Sequence, residues 1–168
     1  MNFNKAIEHV LSSEGGFTND PDDDGNWTGS KKGKGILKGT KWGISAASYP
    51  TLDIFNLTRE EAIVIYKRDF WDKYKIDQLP NYIQLHFFDV CVNSGYSRAV
   101  RILQGALGIT IDGDFGPATR KALPRITLWK YTEERADFYV SIVKSNPTKI
   151  KYLTGWILRV LSVTEHSI

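Results

Sequence analysis

Cys91 is the only cysteine in this 168-residue chain. No internal disulfide can form, and an oxidising environment is not indicated. The three histidines, His9, His86 and His166, form no His-x3-His pair and have no cysteine pair beside them. The spacing of structural and catalytic zinc sites is therefore missing, and neither a metal nor a cofactor is expected. No apolar run approaches the roughly 18 residues of a membrane span. The first eleven residues lack the basic start, apolar block and small-residue cleavage site of a secretory leader. The chain is thus expected to remain in the cytoplasm unless something else releases it. Cys91 lies in the most apolar stretch, where an inert buried thiol is expected rather than a nucleophile.

Two other apparent motifs fail on spacing. Asp20-Pro21-Asp22-Asp23-Asp24-Gly25 resembles the first half of a calcium-binding loop, but Lys31 stands where the closing glutamate belongs. Gly29 to Gly35 is rich in glycine and lysine, yet no Gly-Lys-Ser/Thr follows at the spacing of a phosphate-binding loop.

What is present is an ordinary globular composition, 42% apolar and 24% charged, in a length that suits one domain or two small lobes. The charge is uneven. Residues 1–90 carry 11 basic and 13 acidic side chains, a net −2, whereas residues 91–168 carry 11 and 6, a net +5. A basic half suits a polyanionic partner such as an anionic wall or an outer-membrane lipid surface. No nucleic-acid-binding motif accompanies it, so nucleic acid is not expected.

Phe3, Ile7, Val10 and Leu11 recur at helical spacing, which predicts an amphipathic helix over 2–13 ended by Gly15-Gly16. Residues 18–45 are a turn-rich excursion, with Ile36-Leu37 and Trp42-Gly43-Ile44 expected as short strands. Thr58-Arg59-Glu60-Glu61 is a capping box, and Ala62, Ile65, Tyr66 and Phe70 give its helix a buried stripe. Residues 80–93 are apolar nearly all round, as a central buried helix is. Further helices are expected over 97–107, from Pro117, over 127–144 and over 148–163. The fold class is mainly α (α+β), with one small β excursion near the start.

Glu14 shares the apolar face of the first helix, three turns after Phe3. The negative end of the helix dipole and apolar neighbours both disfavour its ionisation, as a general acid near neutral pH requires. Asp23 follows in a polar acidic turn that favours the ionised form. Two carboxyl groups in unlike surroundings are what cleavage of a sugar–sugar bond uses. A hydroxyl of Thr28 or Thr40 is placed to hold a water. Phe17, Trp27, Trp42, Tyr49 and Trp71 offer flat faces against which sugar rings pack.

Glu14-Gly15-Gly16-Phe17, Asn19-Asp20-Pro21-x-Asp23, Gly25 and Thr40-Lys41-Trp42-Gly43-Ile44-Ser45, continued by Tyr66-x-x-x-Phe70-Trp71, resemble the signature of a phage and bacterial N-acetylmuramidase family, glycoside hydrolase family 108. From Asp89 through Asn93-Ser94-Gly95, Leu103-Gln104, Asp112-Gly113, Gly116-Pro117-x-Thr119 and Gly155-Trp156-x-x-Arg159, the chain is similar to the predicted peptidoglycan domain that accompanies it. An insertion at about Trp27 to Gly39 departs from the family pattern.

The resemblance implies a lysozyme-like fold, helical with a β-hairpin lobe over a cleft. Residues 1–90 would be the catalytic segment and 91–168 the helical peptidoglycan segment, packed as one unit. It implies Glu14, Asp23 and Thr40 as catalytic positions; Phe17, Trp27, Thr28, Trp42, Asn93 and Gly95 are the expected substrate-binding residues. The implied activity is cleavage of the β-1,4 bond between N-acetylmuramic acid and N-acetylglucosamine by a monomeric endolysin. A lytic transglycosylase and a non-catalytic peptidoglycan-binding module are the rival readings.

Overall fold

The structure is a computed structural model that describes residues 1–12 and 16–168. Glu14 and the Gly15 half of the expected helix stop lie outside the described residues. Two compact units emerge, one formed by residues 7–69 and the other by residues 1–6 with 70–168.

The first unit is mostly loop. It takes up the later part of α1 (Phe3–Ser12), whose Ile7, Val10 and Leu11 are buried. It then runs through the acidic turn to a hairpin of two short strands, β1 (Thr40–Lys41) and β2 (Ile44–Ser45), with Thr40 opposite Ser45 and Lys41 opposite Ile44. The expected strands are displaced. Trp42 and Gly43 form the turn itself, with φ of +54° and +73°. Positive φ at both central residues is the geometry that matches the right-handed twist of a two-residue hairpin. Gly43 adopts it without steric cost, whereas Trp42 does not. Ile36 is exposed, and Leu37 makes only an isolated bridge to Trp27, so that pair is no strand either.

Helix α2 (Arg59–Tyr66) closes the unit. Its capping box forms in full: the Thr58 hydroxyl accepts the Glu61 N–H, and the Glu61 carboxylate accepts the Thr58 N–H at 2.8 Å. Ala62, Ile65 and Tyr66 are its buried stripe, while Phe70 falls beyond it in a π-helical turn, Lys67–Asp72.

The second unit is a helical assembly around α3 (Asn81–Ser94). Every residue from Ile83 to Cys91 is buried, so this helix is enclosed on all sides, as its composition predicts. Against it pack α4 (Tyr96–Leu107), α6 (Leu128–Ser145) and α7 (Ile150–Glu165), with the short α5 (Pro117–Ala122) beside α4. Pro117 occupies the first turn of α5, where its missing N–H costs nothing. Thr127 caps α6 by accepting the Lys130 N–H. Phe3, Trp71 and Phe88 meet edge to face, with centroids 5.4–6.1 Å apart. Trp71 is only 4% exposed, so it is a core ring and not the open sugar platform expected of it. Burial likewise raises the Cys91 thiol far above its ordinary pKa, which keeps it protonated and unreactive.

Asp89 and His86, buried inside α3, have dedicated partners. Arg135, fully enclosed, pairs with Asp89, and Arg159 adds a second guanidinium to the same carboxylate at 2.7 Å. His86 reaches Thr164 through Nε2 and Arg135 through Nδ1. Burial alone would raise the Asp89 pKa, but the two guanidiniums overcome that effect and hold it below the usual carboxylate range. Among the described residues, no helix is long and apolar enough to cross a membrane.

Candidate functional site

The acidic turn folds back on itself. The Asp20 carboxylate accepts the Asp22 N–H, Asp22 pairs with Lys32, and Asp24 accepts the Lys32 N–H at 2.7 Å. Asp23 remains exposed and accepts the Gly25 N–H at 2.8 Å, capping the short turn Asp24–Asn26. These bonds use carboxylate oxygens to satisfy loop amides that have no helix or sheet to join.

The hub of the unit is Asn26, which is fully buried and was not apparent from sequence. Its N–H donates to the Asp23 carbonyl, and its side-chain amide donates to the Asp20 carbonyl at 3.0 Å. Its own carbonyl accepts the N–H groups of Lys38 and Gly39. Its side-chain oxygen accepts the Thr40 hydroxyl at 2.7 Å. One residue thereby connects the Asp23 turn to the first strand of the hairpin. Because its proton goes to Asn26, the Thr40 oxygen keeps lone pairs with which to accept a hydrogen bond. The only sequence signal for this hub is an amide at the end of a run of acids.

Thr28 is engaged differently. Its hydroxyl oxygen accepts the Ile36 N–H at 2.9 Å and its backbone N–H donates to the Ile36 carbonyl, closing the neck of the inserted loop. The Trp27 indole donates to the Pro21 carbonyl, which fixes a half-buried ring over the acidic turn. The Trp42 carbonyl accepts the Tyr66 hydroxyl at 3.0 Å. The Trp42 indole nitrogen is buried, with no acceptor among the described residues. Left-handed backbone at a bulky residue and a buried N–H without a partner are both costly, and such features gather at ligand sites. Phe17 is exposed and meets Phe55 edge to face at 5.1 Å, beside a cavity of about 350 Å³ that Lys38 and Ile54 also line. Tyr49 donates to Asp69 at 2.8 Å.

Asn93 and Gly95 belong to the other unit and have local structural partners. The Asn93 amide donates back to the Asp89 carbonyl at 2.7 Å. Gly95 joins α3 to α4 at φ +84°, ψ 158°, a conformation essentially confined to glycine. Phe17, Asp23, Trp27, Thr28, Thr40 and Trp42 are all carried by the loop-built unit.

Residues 7–95 match the family described as Glycosyl hydrolase 108, and residues 98–161 match one described as a Predicted Peptidoglycan domain. The chain belongs to glycosyl hydrolase family 108; it is a glycoside hydrolase directed at peptidoglycan. Among solved structures it is similar to one described as the structure of Brucella abortus SagA, at 29% identity and a TM-score of 0.74. That likeness covers 98% of this chain and 92% of the other, and the fold is mainly α and lysozyme-like. No curated protein matches the chain.

Proposed function

We propose that this chain is an N-acetylmuramidase that cleaves the β-1,4 bond between N-acetylmuramic acid and N-acetylglucosamine. Glu14 donates a proton to the leaving glycosidic oxygen. Asp23 and Thr40 hold the attacking water and offset positive charge at the sugar, and inversion is the expected stereochemical course. Phe17, Trp27, Thr28 and Trp42 line the strand's path, and Asn93 and Gly95 support it from the second segment. Residues 1–90 act as the catalytic segment and 91–168 as the peptidoglycan segment. The observation that carries this reading is the Asn26 hub, which bonds the Asp23 carbonyl and the Thr40 hydroxyl at once. The backbone of the turn that carries the Asp23 carboxylate and the Thr40 hydroxyl are held through one buried residue, which favours a common water site, and proximity effects reward such positioning.

The cellular role that fits is that of a monomeric endolysin, freed by a separate membrane-permeabilising protein. The basic C-terminal half favours an anionic wall or outer-membrane lipid. Lys149 and Lys151, both over the Tyr152 ring, stand beside exposed Ile150 in that half.

The test is purified peptidoglycan incubated with wild type and Glu14→Gln. New reducing ends, free amines and product masses are then followed. Wild type is expected to yield reducing ends without amines, and Glu14→Gln to lose roughly 10²–10⁴-fold in rate. Anhydro-muramyl ends would identify a transglycosylase instead. Equal rates from both proteins would remove Glu14 from its role, and no turnover by wild type would leave a binding module.

A further inference from the structure

The helical unit contains a cavity of about 300 Å³, lined in part by Lys73, Tyr74, Lys75, Tyr96, Phe115 and Arg120. That is the lower end of small-ligand sites and accommodates one sugar with a short substituent. Tyr74 and Tyr96 stack almost parallel, with centroids 4.1 Å apart and planes at 11°. Phe87 is buried and braces Tyr96 by its edge at 6.0 Å, so the wall is rigid. The Arg120 guanidinium lies over the Phe115 ring at 5.1 Å, and Lys73 over Tyr74 at 5.3 Å. Stacking on rings holds these cations without neutralising them. Three cations line the cavity, and no carboxylate is among its lining residues. The field inside therefore attracts an anion.

Lys75 adds a second, independent observation. Its φ is +52°, in the left-handed region. A non-glycine residue there is strained, and such strain collects at ligand sites. Its side chain makes no capping hydrogen bond to the neighbouring turn, Ile76–Gln78. Tyr96 contributes a donor: burial, followed by the nearby Cys91 and Asp114, raises its pKa, so the phenol keeps its proton.

We propose that this cavity is a subsite for the free carboxylates of the stem peptide carried by peptidoglycan's peptide-bearing sugar, with the Tyr74–Tyr96 wall against the peptide-bearing unit and Lys75 and Arg120 on the acid. The proposal rests on peptidoglycan being the substrate of this chain, and it assigns to the helical segment the recognition of stem-peptide charge. Glycan without peptide would gain nothing from it.

The experiment uses the full-length Glu14→Gln chain, which binds without turnover. Its probes are a disaccharide tetrapeptide muropeptide, the same muropeptide with its carboxylates amidated, an N-acetylglucosamine tetramer, and glycerol phosphate. Dissociation constants are read by calorimetry. Amidation is expected to weaken muropeptide binding about tenfold, the scale of one or two charge-assisted contacts. Adding Arg120→Gln or Lys75→Gln should erase that difference and leave tetramer binding unchanged. Both substitutions are at exposed side chains, and circular dichroism verifies folding of each. Equal affinity for free and amidated muropeptide would overturn the proposal. So would discrimination that survives both substitutions, or glycerol phosphate binding as tightly as the muropeptide. Failure of the muramidase reading appears elsewhere, as missing reducing ends from wild type, and leaves these binding ratios readable.

Discussion

Each unit of this protein is organised around one buried polar residue, but the two residues are of different kinds. In the loop-built unit the hub is Asn26, a neutral residue whose five hydrogen bonds go to the backbone carbonyls of Asp20 and Asp23, the backbone amides of Lys38 and Gly39, and the Thr40 hydroxyl. In the helical unit it is Asp89, an anion between two guanidiniums. A loop cannot satisfy its amides by regular structure, so a small bifunctional side chain stands in for the missing ladder. A helix bundle has no such deficit, and there the buried pair ties α3 to α6 and α7 through side chains alone. A neutral hub is insensitive to pH, whereas a charged one is not.

The largest effect expected from breaking either hub is at Asp89. Asp89→Asn leaves the fully enclosed Arg135 guanidinium without its counter-charge. Removing one partner of a buried ion pair costs about 3–5 kcal/mol, a large part of a typical domain's stability. Urea unfolding should show the midpoint falling accordingly, and Arg159→Gln, at a partly exposed partner, should cost less. The pH dependence follows from the depressed Asp89 pKa. Its contribution is present above the ordinary carboxylate value of about 3.9 and is lost as pH falls through the lower folded value. Wild type should therefore lose stability steeply in acid, and Asp89→Asn should show a flatter profile. Parallel profiles for the two proteins would mean that the pair is not the acid-sensitive element.

Asn26→Ala is the matching test of the neutral hub. It strands the Thr40 hydroxyl and the Asp20 carbonyl, at about 1–3 kcal/mol for buried groups left unpaired. This loss should be the same at pH 5 and pH 8. Hydrolysis of peptidoglycan should fall by more than the stability loss explains, because the Asp23 turn and Thr40 lose their common anchor. Thr40→Val separates the two effects, since it leaves Asn26 in place. Full activity in Asn26→Ala would detach the hub from the chemistry.

The helices of both units were legible in the sequence because their signals are local. The capping box at Thr58, the proline at the start of α5 and the enclosed run of α3 each depend on neighbours within a turn or two. The hairpin was legible in existence but not in register. Trp42-Gly43 reads as part of an apolar strand, and only the backbone reveals that a tryptophan accepts positive φ so that the turn can close. The candidate site residues Asp23 and Thr40 came from the order of rare residues, and Thr28 from a hydroxyl close to the acidic turn. Asn26 did not, because its partners lie 3 to 14 positions away and no periodicity encodes them. Asp89, Arg135 and Arg159 were individually visible, yet their pairing spans up to 70 positions. The Lys75 cavity left no pattern at all, since it is assembled from α3, α4, α5 and the turns around them.

The smallest expected effect probes whether the loop-built unit depends on its hub alone. Helix α2 has only eight residues and buries just Ala62, Ile65 and Tyr66, so packing supplies little of its stability. Its cap should then matter, because Thr58 and Glu61 reciprocally satisfy two amides of the first turn. Thr58→Ala is expected to cost about 1 kcal/mol, while Thr58→Ser keeps most of the interaction. For a chain of this size that is a fall of about 2–4 °C in Tm. The loss should also reach the hairpin, because the Tyr66 hydroxyl at the end of α2 bonds the Trp42 carbonyl in the turn. Hydrogen exchange at Lys41 to Ser45 should quicken in Thr58→Ala and be restored in Thr58→Ser. Unchanged exchange there would show the hairpin to be held by Asn26 without help from α2.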